Sequence, residues 1–184
     1  NKLFFTGVPG SKWSGIAQIL EQDSAFNTTD RIASRTYTHH AYTGHKGAYF
    51  GGGMELPAEL DIGLIDSAWS DDNGCKIVKS HDWSTQLIEV KKTFPIDWIM
   101  LVYRPDMVSY AWWHEAGGFQ IKYPNYSWYG DSIGMLSEIT RQNKMILEFA
   151  YKFDAKWEYF TEEWIQEQFG IGIANVPKYT DVLV

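Results

Sequence analysis

The sequence predicts an α/β protein, a three-layer parallel sheet flanked by helices, with residues 1–184 forming a single domain. Strand-like apolar runs alternate with helical stretches, the succession that lays parallel strands side by side through crossover helices. The run Asp97-Trp98-Ile99-Met100-Leu101-Val102-Tyr103 is almost continuously apolar, as a central strand covered on both faces requires. The opening residues pass from an apolar strand through a turn rich in Gly and Ser into an amphipathic helix.

The elements follow in order. Residues 2–6 predict the first strand and residues 12–22 the first helix, with Ile16, Ile19 and Leu20 on one face. From Asn27 to Gly63 the text is rich in turn formers, including Gly51, Gly52 and Gly53, and shows no clear period. Such a stretch is long for a compact domain and reads as a functional lid or a partly mobile segment, with a short strand at Ile62–Ile65 within or after it. Lys76–Ser80 predicts a strand, Ser84–Lys92 a helix and Asp97–Tyr103 the central strand. Pro105 suits the first turn of a helix that runs to Glu115 and stops at Gly117-Gly118. A long helix spans Asp131–Phe153, with Ile133, Leu136, Ile139, Ile146 and Phe149 as core positions. Lys156–Phe160 reads as a last strand, and Thr161-Glu162-Glu163 opens a short helix through Glu167.

Composition bounds the function. A formal charge of -7 lacks the excess of basic residues that a nucleic-acid polymer demands, yet leaves room for a local pocket around one anionic nucleotide. The single cysteine, Cys75, excludes an intramolecular disulfide, fits a reducing, cytoplasmic compartment and reads as a spectator thiol. No run of about 18 apolar residues occurs, so no membrane span is expected, and no signal peptide is visible. Aromatics reach 16%, enough to fill a core, line an acceptor pocket or form an interface.

Three candidate segments fall at predicted strand ends, where ligands sit in open α/β sheets. The loop Pro9-Gly10-Ser11-Lys12-Trp13-Ser14 aims backbone N–H groups and a helix N-terminus at one spot, which favours a phosphate or sulfate. A Walker A loop would end in Gly-Lys-Ser/Thr, whereas this one has Lys12-Trp13-Ser14. The second segment is Lys79-Ser80-His81: a Lys two positions earlier shares a face with His81, disfavours the imidazolium and keeps a neutral base. In the third, Arg104 leaves the central strand where a helix begins, suited to a bidentate grip on phosphate, and Ser109 follows about one helical turn later.

Together these segments resemble the sulfotransferases that use 3′-phosphoadenosine 5′-phosphosulfate (PAPS). That family holds the 5′-phosphosulfate with a loop of the form Pro-Lys-Ser-Gly-Thr-Thr, which Pro9 to Ser14 parallels. Its cytosolic branch carries Lys-Thr-His, to which Lys79-Ser80-His81 is similar. Arg104 and Ser109 match the residues that hold the 3′-phosphate, and Ser109-Tyr110-Ala111-Trp112-Trp113-His114 is similar to a Ser-Tyr-Tyr-His stretch. Trp157 to Trp164 resembles a late strand followed by Tyr-Glu-Asp-Leu. The resemblance implies a P-loop NTPase-like sulfotransferase fold and sulfuryl transfer from PAPS to a hydroxyl or amine, with no metal. It makes His81 the general base, with Lys79 and Lys12 neutralising charge on the bridging oxygen. The loop, Arg104 and Ser109 would bind the donor.

The chain also departs from the pattern. Gly10 stands where the family has its loop lysine, so either Lys12 reaches the transferred group from another angle or that cation is missing. Gly15 stands where the family has a Trp that stacks on adenine, and the late Arg-Lys-Gly segment is not visible. The acceptor is expected to be a small molecule or a glycan. Trp112, Trp113, His114 and Tyr123, with Tyr126, Trp128 and Tyr129, are either its pocket or ordinary core. His39, His40 and His45 are the nearest approach to a metal-ligand cluster and read as a solvated loop or acceptor contacts. Two alternatives stand beside the transferase: a P-loop kinase of a nucleoside or small metabolite, and a non-catalytic nucleotide-binding or interaction descendant.

Overall fold

Why Leu3, Phe4 and Phe5 begin a sheet is visible in their surroundings: each is at most 1% exposed, with neighbours on both faces. A computed structural model describes residues 1–31, 36–38, 47–49, 60–121, 130–178 and 180–184, the backbone alone at 36–38 and 47–49. Strand β1 is Lys2–Gly7, and helix α1 is Trp13–Leu20. β2 (Phe26–Asn27) follows, and β3 (Thr36–Thr38) and β4 (Gly47–Tyr49) form an antiparallel pair within the stretch read as turn-rich. Next come α2 (Ile62–Ser67), β5 (Cys75–Lys79), α3 (Trp83–Thr93), β6 (Trp98–Val102) and α4 (Asp106–Glu115). The remaining elements are α5 (Ser132–Lys152), β7 (Trp157–Glu158), α6 (Glu162–Phe169) and β8 (Val182–Leu183).

The main sheet has six strands in the order β2-β5-β1-β6-β8-β7. β2, β5, β1 and β6 are parallel, with Phe5 beside both Lys79 and Met100. β8 pairs antiparallel with β6 and with β7, so the sheet is mixed, and the expectation of a wholly parallel sheet is corrected at this edge. The physical reason is connectivity: α6 and the segment after it return the chain to insert Val182-Leu183 between strands already laid down.

Helices cover both faces. Phe5 stacks on Trp13 of α1 with centroids 6.1 Å apart. On the same face Phe169 of α6 packs against Phe26 and Trp98. On the opposite face Phe4 meets Trp83 and Phe94 of the α3 region. α5 packs against α3, α4 and β1. Each large ring buried here stabilises by about 2–3 kcal/mol before conformational entropy is counted.

Two sequence expectations are corrected within the elements. Ile62–Ile65 is helical, not a strand, because the Asp61 carboxylate accepts the Leu64 N–H at 2.9 Å and caps α2. Only Ile65 of that run is buried; Ile62 and Leu64 are exposed. On α5 the buried stripe is Met135, Ile139, Gln142, Ile146, Phe149 and Ala150, whereas Ile133 is 81% exposed and Leu136 half-buried. Two residues from Met135, Ile133 is carried to the far side of the helix.

Candidate functional site at the strand ends

The loop after β1 is closed by its own atoms. Val8 O accepts both the Ser11 N–H at 3.1 Å and the Ser11 hydroxyl at 2.7 Å. Gly10 holds φ +80°, and a Cβ there would lie 1.8 Å from Ser109 O and 2.7 Å from Trp113 N. Glycine is therefore required twice, for the left-handed turn and for backbone contact with α4. Lys12, at φ 65°, precedes α1, and its ammonium lies over the Trp112 ring at 4.7 Å. Pro9 and Ser11 are buried, and Ser14 is half-buried. Trp13 is 4% exposed and lies between Phe5 and His81, so its ring belongs to the core. Gly15 faces open space, with nothing within 4 Å of a Cβ built there.

His81 enters the site from the end of β5. It is 2% exposed, its ring centroid is 4.6 Å from that of Trp13, and Nδ1 lies 2.6 Å from Gly7 O. A carbonyl accepts, so Nδ1 carries the hydrogen and the basic lone pair falls on Nε2. The turn is fixed because His81 O accepts the Ser84 N–H and hydroxyl. Burial drives the His81 pKa down to about 4, against the opposing pull of the Gly7 carbonyl and Glu138. The imidazole is neutral, as the sequence led us to expect, but for a different reason.

That reason is not Lys79. Its ammonium turns along the sheet to Glu21 beyond the end of α1, at 2.5 Å, with both side chains at most 8% exposed. Glu21 also holds Arg31 at 2.9 Å. The Lys79 charge is thus neutralised by an ion pair, and the Lys-Ser-His segment sends its two basic groups to different partners.

Arg104 leaves β6 and donates through one guanidinium nitrogen to Tyr103 O at 2.7 Å and Asp181 O at 3.1 Å. It bridges the β6 end to the chain entering β8. Burial lowers its pKa, partly offset by Asp181. Ser109 is fully buried and its hydroxyl donates to Arg104 O at 3.3 Å. The same carbonyl accepts from Asn143 of α5 at 2.7 Å, and Asn143 also reaches the Asp106 carboxylate at 2.7 Å. Arg104 and Ser109 are therefore linked through a backbone carbonyl.

The aromatic segment of α4 divides by role. Trp113 is 1% exposed and core, whereas Trp112 carries Lys12. His114 is exposed, edge-on to Tyr110 at 4.6 Å and close to Trp113 at 4.8 Å. Tyr123, Tyr126, Trp128 and Tyr129, together with His39, His40 and His45, lie outside the described residues. Among the described residues, no three His, Cys, Asp or Glu side chains gather as a metal site.

Sequence reasoning missed the polar face of α5. Glu138, 8% exposed, is held by Arg141 and by Gln142, the latter at 2.9 Å. Burial works to raise the Glu138 pKa, but these donors bring it below the usual value, while Asp82 is raised by burial and by Glu138. The available signal was Glu138, Gln142 and Asn143 interrupting the apolar stripe of a long helix. A cleft of about 440 Å3 was also missed; it lies beside the Arg104 anchor and is lined by Tyr159, Phe160, Glu163, Pro177, Lys178 and Asp181. It is assembled from segments far apart in sequence.

The fold and site define an α/β protein with a mixed sheet and a polar cluster at its parallel strand ends. No protein-family model, curated protein or solved structure matches the chain. No helix among the described residues is long and apolar enough to cross a membrane.

Proposed function

We propose that this chain is a PAPS-dependent sulfotransferase acting on a hydroxyl or amine of a small-molecule or glycan acceptor. One observation carries the reading. At the carboxyl ends of neighbouring parallel strands β5, β1 and β6 lie, respectively, a neutral buried imidazole, a glycine-kinked loop heading a helix, and an arginine. That is where an α/β sheet presents a ligand.

In the proposed reaction the acceptor oxygen or nitrogen attacks sulfur in line. Nε2 of His81 takes its proton, the new bond to sulfur forms, and the bond from sulfur to the phosphate oxygen breaks. The spent donor leaves as 3′,5′-adenosine bisphosphate. Positioning and electrostatics supply the acceleration. The N-terminal end of α1 faces the 5′-phosphate, while Arg104 and Ser109, which select the 3′-phosphate, reach it only by giving up the backbone carbonyls they now hold. Lys79 reaches the bridging oxygen only by releasing Glu21, so Lys12, resting on Trp112, is the cation assigned to it.

Calorimetric titration with 3′,5′-adenosine bisphosphate beside ADP tests the donor site. Micromolar binding of the bisphosphate and much weaker binding of ADP are expected; no binding, or a preference for ADP, overturns the reading. His81→Ala should abolish transfer of labelled sulfuryl groups while leaving bisphosphate affinity nearly intact. A second reading, a nucleotide-binding descendant without transfer, is favoured by the cover that Trp13 places over His81. Tight bisphosphate binding with no transfer to phenols, amines or glycans would select it.

A further inference from the structure

We propose that β7 is a dimerisation edge, paired across a two-fold axis with β7 of a second copy of this chain. β7 ends the sheet order, so among the described strands it has a neighbour on one side only. Its register fixes which peptide groups face outward. Lys156 and Val184 exchange both hydrogen bonds, at 2.9 and 3.1 Å, and Trp157 stands opposite Leu183 in the next position. In an antiparallel ladder such pairs alternate, so the N–H and C=O of Trp157 point away from β8, off the sheet. Two aromatic residues of this segment are open to solvent: Trp157 is 53% exposed and Tyr159 77%. Among the described residues no second strand pairs with this edge, and an open strand edge is a template for another strand.

The occupant is read from the segment itself, which is complementary to its own reverse. With Trp157 opposite Trp157 of the second copy, Lys156 of each chain faces Glu158 of the other, and Tyr159 stands over Ala155. Opposite charges meet on one face and a large ring meets a small side chain on the other. A two-fold axis yields both charge pairs at once. Trp157 is exposed and Glu158 half-exposed, and Lys156, also exposed, holds an ion pair with Asp154 that it exchanges for Glu158 of the second copy.

The test is sedimentation equilibrium of the full chain at micromolar to tens-of-micromolar concentration. The unaltered protein should dimerise. Lys156→Glu or Glu158→Lys places like charges opposite each other twice and should weaken the dimer roughly tenfold. The double reversal, Lys156→Glu with Glu158→Lys, restores the pairing and should restore the affinity. Circular dichroism melting checks that each variant is folded. A monomer at tens of micromolar, a dimer indifferent to the single reversals, or a double reversal that fails to rescue it would each overturn the proposal.

Discussion

Replacing His81 with Asn and comparing unfolding free energies from pH 8 to pH 5 isolates the imidazole packed against Trp13. Asn keeps a donor for the Gly7 carbonyl but cannot take up a proton in this range. The ordinary imidazole titrates at 6.5, and burial brings His81 down to about 4. Below pH 6.5 the unfolded chain therefore binds a proton that the folded chain refuses, so stability is full above that pH and falls as pH drops towards 4. The linkage gives a loss of about 2 kcal/mol by pH 5, approaching ~3 kcal/mol near pH 4. Glu138 acts on His81, and Asp82 is its neighbour in the chain. Asp82, raised by burial and by Glu138, titrates with the opposite effect, while Glu138, held low chiefly by Arg141 and Gln142 against its burial, acts in the same direction at more acid pH. Both remain in the variant, so the difference between the two proteins reports His81. Urea unfolding followed by tryptophan fluorescence at several pH values is the assay. The stability gap should narrow by about 2 kcal/mol between pH 7 and pH 5. Parallel curves would refute the argument that burial sets the charge state of His81.

Gly10→Ala should cost roughly 3 kcal/mol or prevent folding, because its Cβ would enter the α4 backbone at a left-handed φ; an unchanged melting temperature would count against that contact. Glu21→Gln leaves the buried Lys79 ammonium without its counter-charge and should destabilise by about 3–5 kcal/mol, whereas Glu21→Leu with Lys79→Met should cost far less. A double-mutant cycle in urea measures both. Cys75, raised to about 11 by burial, should react with a disulfide reagent at pH 8 roughly two orders of magnitude more slowly than a free thiol. Reaction at the free-thiol rate would place it elsewhere.

Periodicity located β1, α1, β5, α3 and β6 within a residue or two, because these elements pack on the core. β8 escaped notice because Val182-Leu183 becomes a strand only through pairing on both sides. The Ile62–Ile65 run misled because an apolar tetrapeptide fits either period, and Asp61 decided the outcome. At the site, residue types were legible but partners were not. A Lys two positions before a His reads as a neighbouring charge, yet its long side chain found Glu21, 58 residues away. The acceptor carbonyls around Arg104 were hidden for the same reason: they belong to the backbone, which sequence patterns do not distinguish.

Insertion of β8 between β6 and β7 has a consequence for biosynthesis. The open side of β6 waits for the chain through Leu183 before Leu101, already paired with Thr6, acquires its second partner, and Arg104 waits for Asp181. Until then a growing chain carries an exposed strand edge, and its Arg104 has yet to meet Asp181, while β5, β1 and β6 can already assemble. Closing that gap is a long-range event, and pairing of strands distant in sequence slows folding. The nascent protein is thus most vulnerable to aggregation in the interval between making β6 and making β8, when the strand ends that form the candidate site have gathered but the sheet beside them is still open.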